Sequence, residues 1–356
     1  MIERRCTRTV SVGRVKIGSD HPVSIQSMAK TDTRDISATI SQIKRLEGSG
    51  CEIVRVAVKD IESAKAICEI KKEIDIPLVA DIHFDHKLAL EAILCGADKI
   101  RINPGNMKEA RAMEEVAHLA SEKGIPVRIG VNSGSLPATK RRDPATGRLM
   151  AELALKSARC FEETGFRDIV ISLKASDIGT TVEAYKIMGM ESDYPLHLGV
   201  TAAGSPKNGI VRSSVGIGAL LLEGIGDTVR VSLTGDPVTE VDTAKRILSS
   251  LGIRHFGPEI ISCPTCGRCR VDLVSMVKEL EDKLKRNTQY TIRNTRHAFT
   301  IALMGCEVNG PGEAKNADIG IAFGDGKGAI FRNGKVVKTV KAENAIDELI
   351  KLTGKM

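Results

Sequence analysis

The sequence predicts a (β/α)8 or TIM barrel followed by a small α+β domain, and three observations lead to this fold class. Eight short β-rich segments alternate with eight segments of helical periodicity in the first part of the chain. Several helical segments end in glycine, the residue that best closes a helix in the left-handed conformation. After Gly252 this alternation stops. Eight β/α units are the number that closes a barrel.

An open, doubly wound sheet is the alternative fold for alternating strands and helices. Its dinucleotide-binding form carries a Gly-x-Gly-x-x-Gly pattern directly after the first strand. The chain has no such pattern there, and eight units are many for an open sheet. We therefore favour the barrel.

The elements follow in a regular order. A hairpin or cap over one end of the barrel is predicted at residues 5–19. The eight predicted strands are 23–28, 53–58, 78–84, 99–104, 127–132, 168–174, 196–201 and 228–234. The predicted helices include 37–46, 61–74, 87–94, 108–123, 152–164 and 241–251. The basic loop at 203–209 is predicted to precede a helix that opens at Ser213 and Ser214, a natural phosphate site.

The second domain is predicted from residue 257, so that the two domains are 1–256 and 257–356. A helix at 273–284 and a polar segment at 285–296 precede strands near 298–303, 319–323, 328–331 and 336–340. A helix at 342–352 ends the domain. This order is typical of a small α+β module.

Composition limits the classes of partner. The formal net charge is +7, which suits an anionic ligand, but only 3% of the residues are aromatic and the basic residues are dispersed. Nucleic acid is therefore not expected, and a small phosphorylated substrate fits better. No apolar run approaches the roughly 18 residues of a membrane helix. We expect a cytoplasmic protein without a membrane partner.

Four strands contain an arginine between β-branched residues, and these are Arg55, Arg101, Arg128 and Arg230. Alternation puts each arginine opposite the face that packs on the helices, so we expect them inside the barrel. Asp81 is one compensating charge. Either an internal ion-pair network fills the barrel, or the guanidinium groups bind a polyanion at its mouth.

Further polar residues follow or end the predicted strands. They are Asp81, His83, Asn103, Asn132, Lys174, His197 and Thr201. In barrels of this kind the chemistry lies at the carboxyl ends of the strands. His83 and His197 are alternatively histidines of the core.

Cysteines near the C-terminus predict a metal centre. Cys263 and Cys266 are separated by two residues, and Cys306 lies seven residues before Glu313. Such thiolates hold an iron–sulfur cluster or a zinc ion. Three thiolates and a carboxylate brought back by a rigid Gly-Pro-Gly bend would leave one iron open to a substrate oxygen, which makes Glu313 a candidate catalytic residue.

Cys269 leaves the ligand set open. Together with Cys263, Cys266 and Cys306 it would complete a tetrahedral zinc site. A ferredoxin pattern fails, because position 273 is Leu. The remaining cysteines, namely Cys6, Cys51, Cys68, Cys95 and Cys160, are expected to be free thiols.

Nearly the whole chain resembles the family of 4-hydroxy-3-methylbut-2-enyl diphosphate synthases of the methylerythritol phosphate route to isoprenoids, in its two-domain bacterial form. The matching motifs are VSIQSM at 23–28, ADIHF at 80–84, RINPGN at 101–106, RIGVNSGS at 128–135, CPTCGR at 263–268 and CEVNGPGE at 306–313. The resemblance implies a TIM barrel joined to a cluster domain similar to a repeat of sulfite and nitrite reductases. It also implies a reductive opening of 2-C-methyl-D-erythritol 2,4-cyclodiphosphate.

The resemblance also implies the cofactor and partners. A [4Fe–4S] cluster would be bound by Cys263, Cys266, Cys306 and Glu313, with Cys269 outside the set. The four arginines would bind the cyclic diphosphate, assisted by His83, Asn132 and Lys174. Flavodoxin or ferredoxin would supply electrons. A homodimer is expected, in which the cluster domain of one chain completes the barrel site of the other.

Two rival functions remain. The first is a zinc-containing barrel enzyme for another phosphorylated metabolite, in which the C-terminal module is only structural. The second is an electron-transfer or iron–sulfur scaffold protein whose barrel binds a partner. Zinc without visible absorption would indicate the first, and a cluster indifferent to small diphosphates would indicate the second.

Overall fold

A computed structural model gives the structure of the chain, and it describes residues 2–83, 85–104, 110–136, 145–286 and 299–353. The chain forms two compact units, Met1–Ile253 and Arg254–Met356. The sequence places the division slightly later, between residues 256 and 257. Within the described ranges no helix is long and apolar enough to cross a membrane.

The first unit is a parallel barrel preceded by a hairpin. Its strands are β1 (Val10–Val12), β2 (Val15–Ile17), β3 (Ser24–Met28), β4 (Ile53–Val58), β5 (Leu78–Ile82), β6 (Lys99–Ile102), β7 (Val127–Asn132), β8 (Ile169–Lys174), β9 (His197–Leu198) and β10 (Thr228–Val229). The barrel strands follow the order β8-β7-β6-β5-β4-β3-β10-β9. A parallel bridge between Ile171 and Leu196 joins β8 to β9 and closes the ring. The predicted barrel is confirmed.

In the described part of this unit, eight α-helices surround the strands. They are α1 (Ile36–Gly48), α2 (Ile61–Ile70), α3 (His86–Leu94), α4 (Ala110–Lys123), α5 (Thr146–Glu163), α6 (Ile178–Glu191), α7 (Pro206–Leu222) and α8 (Pro237–Ser250). Five begin at an aspartate whose side chain accepts a backbone N–H of the first turn: Asp35, Asp60, Asp85, Asp177 and Asp236. The helix start predicted at Ser213 is wrong, because Pro206 already opens α7 and fixes its first turn.

The hairpin of β1 and β2 closes the amino-terminal end of the barrel. The two strands are antiparallel neighbours, with Val12 opposite Val15. Val12 and Ile17 pack against Ile53 and Val79, which lie at the beginnings of β4 and β5, and none of the four is exposed. The polar groups at the carboxyl ends of the strands therefore lie at the opposite end.

The second unit is a mixed sheet with helices. Its elements are β11 (Glu259–Ser262), α9 (Leu273–Arg286), β12 (Thr300–Met304), α10 (Gly310–Asn316), β13 (Ile319–Gly324), β14 (Lys327–Arg332), β15 (Lys335–Lys341) and α11 (Ala345–Thr353). The strands follow chain order, β11 to β13 parallel and the last two antiparallel. The sequence does not predict β11 or α10. The predicted polar segment lies outside the described residues from 287 onward.

Two cysteine expectations are wrong. Cys68 on α2 and Cys95, directly after α3, form a disulfide, whereas both were expected as free thiols. They lie on consecutive helices of the barrel, where packing brings the two side chains together. Cys6, Cys51 and Cys160 are free, as predicted.

Candidate active site

The interior of the barrel, here called the lumen, carries charged side chains in register. Asp81, Arg101 and Arg128 occupy matching positions on the neighbouring strands β5, β6 and β7. Matched positions of parallel strands point to the same face. Their alternate neighbours, such as Val127 and Ile129, are buried on the helix side. The arginines therefore face the lumen.

Asp81 is the carboxylate that the lumen arginines share. Its Oδ1 lies 3.1 Å from Nη1 of Arg101, and its Oδ2 lies 3.5 Å from Nε of Arg55. Nε2 of His83 is 3.6 Å from the same Oδ2. Burial on its own would raise the pKa of Asp81, but Arg55, His83 and Arg101 together hold that pKa well below its usual range. Asp81 is therefore an anion that orients two guanidinium groups.

The remaining cations of the lumen exceed the available negative charge. Arg128 is buried, and burial together with the charges of Arg55 and Arg101 lowers its pKa. Burial and the charge of Arg230 likewise lower the pKa of Lys174 well below its ordinary value. Such shifts occur where like charges gather without enough counter-charge. An anionic ligand would reverse them.

A second buried carboxylate, Glu240 on α8, is already engaged. Its Oε1 lies 2.9 Å from Nζ of Lys30, and the same oxygen accepts the backbone N–H of Leu233 at 2.9 Å. Its Oε2 accepts the hydroxyl of Ser27 at 3.2 Å. The sequence motifs missed Lys30 and Glu240, because neither residue lies in a predicted barrel strand. Among the described residues, Asp81 and Glu240 are thus two carboxylates against five cations of the site: Arg55, Arg101, Arg128 and Lys174 are buried, and Arg230 is half-buried.

Two glycines make room for the long cationic side chains. A Cβ at Gly130 would lie 2.7 Å from Nε of Arg101, and a Cβ at Gly199 would lie 2.7 Å from Nζ of Lys174. Neither position requires a left-handed backbone. The missing side chains therefore serve the close approach of Arg101 and Lys174 to the barrel wall.

The other predicted residues divide between the two ends of the lumen. Asn103 follows β6 and is buried, Asn132 ends β7, and His83 is exposed beyond β5. His197 differs from the prediction, because it is the first residue of the short strand β9. It lies beside Thr228 and, through it, Ser24, at the amino-terminal ends of their strands. His197 is therefore not among the strand-end groups.

In the second unit, the predicted metal ligands lie around the ends of two neighbouring parallel strands. Cys263 follows β11, and its Sγ accepts the backbone N–H of Gly305, which follows β12, at 3.5 Å. Cys266 is exposed on the turn that continues from Cys263, where Thr265 has a φ of +64°. A backbone hydrogen bond of 2.8 Å from Arg270 to Gly305 holds this turn against the end of β12.

Cys306 and Glu313 lie on either side of a helix start. Backbone N–H groups of Val308, Asn309 and Gly310 approach the Cys306 sulfur and lower its pKa, which favours the thiolate. Glu313 is exposed in the first turn of α10. The Gly-Pro-Gly bend predicted between them is wrong, because α10 begins at Gly310 with Pro311 in its first turn.

Cys269 has a different environment. Its Sγ donates to the backbone oxygen of Val271 at 3.2 Å, although its side chain, like that of Cys263, packs against the core that contains Leu273. Across the described part of the chain, no three Cys, His, Asp or Glu side chains converge on a single point as metal ligands.

Comparison with known proteins places these features in a family. The model of the GcpE TIM-barrel domain matches residues 7–245, and the model of the GcpE protein C-terminal domain matches residues 259–355. Two curated relatives are both named 4-hydroxy-3-methylbut-2-en-1-yl diphosphate synthase (flavodoxin). The protein of Thermodesulfovibrio yellowstonii is 54% identical, over 98% of this chain and 99% of the relative. That of Caldanaerobacter subterraneus subsp. tengcongensis is 52% identical, over 99% of this chain and 98% of the relative.

Solved structures support the barrel at the level of fold. Dihydropteroate synthase from Stenotrophomonas maltophilia matches with a TM-score of 0.52 and 14% identity, over 64% of this chain and 93% of that chain. The Yersinia pestis dihydropteroate synthase matches with a TM-score of 0.51 and 12% identity, over 68% of this chain and 98% of that chain. At this identity the likeness concerns the fold alone.

Proposed function

The chain belongs to the GcpE family, and on that premise we propose that it converts 2-C-methyl-D-erythritol 2,4-cyclodiphosphate to 4-hydroxy-3-methylbut-2-enyl diphosphate. The reaction opens the ring, removes a hydroxyl as water and consumes two electrons. The name of the relatives supports flavodoxin as the donor, with ferredoxin as the second candidate. The enzyme would act in isoprenoid biosynthesis in the cytoplasm.

The observation that carries the proposal is the uncompensated positive charge of the lumen. Among the described residues of the site, five cations, four of them buried and Arg230 half-buried, face two carboxylates, one of which is paired with Lys30. Burying guanidinium groups without counter-charge costs several kcal/mol, about 3 or more for each broken pair. A cyclic diphosphate supplies the missing charge, and its oxygens match the paired N–H groups of arginine.

The chain's own residues would bind and orient this substrate. Arg128 and Lys174 would hold the phosphates, because the charges of neighbouring cations outweigh those of carboxylates at both. Arg230, which is near the charges of Glu240 and Asp81, would assist them. Arg55 and Arg101 would complete the site in the orientation that Asp81 imposes. His83, Asn103 and Asn132 would contact the sugar-derived carbon chain from the carboxyl ends of the strands.

The donor set of the second unit fits a [4Fe–4S] cluster held by Cys263, Cys266, Cys306 and Glu313. Backbone N–H groups directed at Cys263 and Cys306 stabilise thiolate sulfur, as the hydrogen bonds around iron–sulfur clusters do. When bound, such a cluster supplies electrons one at a time. Cys269 would stay outside the set, because its thiol donates to the Val271 oxygen, whereas the Cys263 sulfur accepts a backbone N–H.

Glu313 is the proposed catalytic residue of this set. A carboxylate is a harder and more exchangeable ligand than a thiolate, so it is the member of the set suited to give way to substrate. Its position in the first turn of α10 leaves the side chain exposed. A homodimer would bring the cluster unit of one chain to the barrel of its partner.

The test measures iron, acid-labile sulfide and zinc on protein purified without oxygen, followed by turnover of the cyclodiphosphate with reduced flavodoxin. About four irons and four sulfides per chain, with product formed, are expected. Arg128→Met is expected to abolish turnover, whereas Arg14→Met, at an exposed position, leaves it unchanged. One zinc without sulfide would support the structural-metal rival. A cluster without turnover would support the electron-transfer rival.

A further inference from the structure

A second polar layer lies in the lumen at its closed end, and the proposed reaction does not use it. We call this layer the barrel floor; it comprises Ser24, Gln26, Lys99, His197 and Thr228. Lys99, His197 and Thr228 have no exposed surface, and Ser24 and Gln26 are at most 2% exposed. Polar and ionisable groups are seldom buried so completely without a partner.

Strand register brings these side chains together. Ser24, Thr228 and His197 occupy matching positions on the adjacent strands β3, β10 and β9. Gln26 is the next residue of β3 on the same face, and Lys99 precedes Arg101 on the same face of β6. Burial, with the charges of Arg128, Lys174 and Lys99 adding to it, lowers the pKa of His197.

An apolar layer closes the floor from below. Lys99 is the register partner of Val79, and Val79 packs with Val12, Ile17 and Ile53 under the hairpin. Arg128 borders the floor from above, because it is the register partner of Arg101, which lies two residues after Lys99 on the same face of β6. The floor is thus enclosed by the hairpin and by the cations of the substrate site.

The polar atoms of the floor lack hydrogen-bond partners. Among the residues that the structure describes, none bonds Nζ of Lys99, either ring nitrogen of His197, the hydroxyls of Ser24 and Thr228, or the amide of Gln26. Nε and Nη1 of Arg128 are equally unpaired. Each such group costs about 1–3 kcal/mol if it stays unpaired.

The unmet need is for an acceptor. With Lys99 as an ammonium, the floor and the unpaired groups of Arg128 offer more donors than acceptors, since the ammonium and the guanidinium only donate. The acceptors present are the Gln26 amide oxygen, the two hydroxyl oxygens and one nitrogen of a neutral imidazole. The groups that face Lys99 are Arg128, Arg55 and His197, and none is an anion. Asp81, higher in the lumen, is occupied by Arg55 and Arg101. Water brings as many donors as acceptors, so water alone does not balance this set.

We propose that the barrel floor binds a small inorganic anion, a halide or a phosphate, held by Lys99, His197, Ser24 and Thr228 beneath the substrate site. The anion would accept the donors of the floor and the unpaired N–H groups of Arg128. It would keep Lys99 protonated, because an adjacent negative charge favours the ammonium form. This site would be occupied whether or not the lumen above it holds a substrate.

The anion at the floor could have a second source, because a phosphate group of the substrate could reach it. The experiment separates the two sources with the intact protein carrying its metal. Thermal unfolding is followed in sodium gluconate, and then with chloride, bromide or inorganic phosphate replacing gluconate at constant ionic strength. Lys99→Met removes the ammonium but keeps the length of the side chain. Lys16→Met, at an exposed position of β2, is the matched control.

For a resident inorganic anion, at least one of the three ions raises the melting temperature by about 2 °C or more, increasingly with its concentration. The rise persists in Lys16→Met and disappears in Lys99→Met. If the substrate supplies the anion, no inorganic ion has this effect, and Lys99→Met weakens cyclodiphosphate binding about tenfold or more while Lys16→Met does not. Binding to the unchanged protein is measured first, so that failure of the proposed function is recognised separately.

The inference is overturned if Lys99→Met keeps the full response to the ions, or if it changes neither that response nor substrate binding. A direct observation covers the case in which Lys99→Met does not fold. Crystals of the unchanged protein soaked in bromide should show an anomalous peak between Lys99 and His197. Crystals soaked in the cyclodiphosphate should otherwise show a phosphorus peak there, and the absence of both peaks rejects the site.

Discussion

Asp81 on β5 and Arg101 on β6 are register partners, and Nη1 of Arg101 donates to Oδ1 of Asp81 across 3.1 Å. The other oxygen of the same carboxylate lies 3.5 Å from Nε of Arg55 on β4. One buried anion thus fixes two guanidinium groups from the strands on either side. Removing the anion would leave both cations buried without an adjacent negative charge.

Asp81→Asn is therefore expected to destabilise the fold strongly. Breaking a buried ion pair by removing one member costs about 3–5 kcal/mol, because the remaining charge stays buried. Urea unfolding measures the free energy of unfolding. Glu69→Gln is the control, since its pair with Lys72 is exposed and its loss costs less than about 1 kcal/mol. Equal effects of the two substitutions would contradict the shared-anion role.

Gly130→Ala should impair substrate binding more than folding. The added methyl would lie 2.7 Å from Nε of Arg101 and 3.0 Å from Oγ of Ser172, so the guanidinium must move. We expect KM for the cyclodiphosphate to rise about tenfold or more, as misplaced binding groups commonly cause. Gly48→Ala, which meets no atom within 4 Å, should leave KM unchanged. An unchanged KM in Gly130→Ala would show that Arg101 does not bind substrate.

Cys269→Ser should retain iron and activity, whereas Cys306→Ser should lose both. The Cys269 sulfur contacts the Val271 oxygen and the core, while the Cys306 sulfur is surrounded by backbone N–H groups at a helix start. Iron and sulfide analysis on protein purified without oxygen distinguishes the two variants. The reverse pattern would overturn the ligand assignment.

A site shared between chains predicts complementation. Arg55→Ala chains and Cys306→Ser chains should each be inactive alone. Random reassociation of equal amounts makes about half of the dimers mixed, and each mixed dimer would contain one intact site, so about a quarter of full activity is expected. A mixture that stays inactive after demonstrated subunit exchange would place the whole site within one chain.

The pH dependence of stability should reveal Lys99. Burial, with Arg128 and Arg55 adding to it, lowers the pKa of Lys99 in the folded protein well below its ordinary value. In the anion-free protein, unfolding therefore takes up a proton at any pH between the folded and the unfolded pKa of Lys99, and over that range this group makes the free energy of unfolding rise with pH, by up to about 1.4 kcal/mol per pH unit. The rise ends near the unfolded pKa of about 10.4.

Urea unfolding in gluconate, at intervals from about pH 7 to about pH 9, measures this slope. Compared with Lys99→Met, the unchanged protein should gain stability as the pH rises. Parallel curves for the two proteins would show that Lys99 has the same protonation in the folded and unfolded states.

The barrel could be predicted from periodicity, because buried parallel strands are continuous apolar runs separated by amphipathic helices. The inward direction of the lumen arginines could be predicted from the alternation of side chains along each strand. Lys99 carried the same signal, as it shares a strand face with Arg101, but a lysine at the start of a strand is usually exposed. Its burial depends on the hairpin below it, which local pattern does not show.

The cluster unit was predicted less completely, for reasons of packing. Gly310, Pro311 and Gly312 are typical of a loop, yet they open α10. A Cβ at Gly310 would lie 2.9 Å from Cβ of Met304 and 3.2 Å from Cβ of Ala322, so glycine lets the helix start lie directly on the sheet. Such a close approach is a tertiary requirement, and composition alone does not distinguish it from a flexible turn.

The hairpin of β1 and β2 has a kinetic consequence. Because the hairpin closes one end of the barrel, a ligand enters and leaves the lumen at the other end. Val12 and Ile17 leave no accessible surface at that base, so a molecule that reaches the arginines must arrive and depart by the strand ends. Product and incoming substrate would then use the same opening, so the product would have to leave before the next substrate could bind.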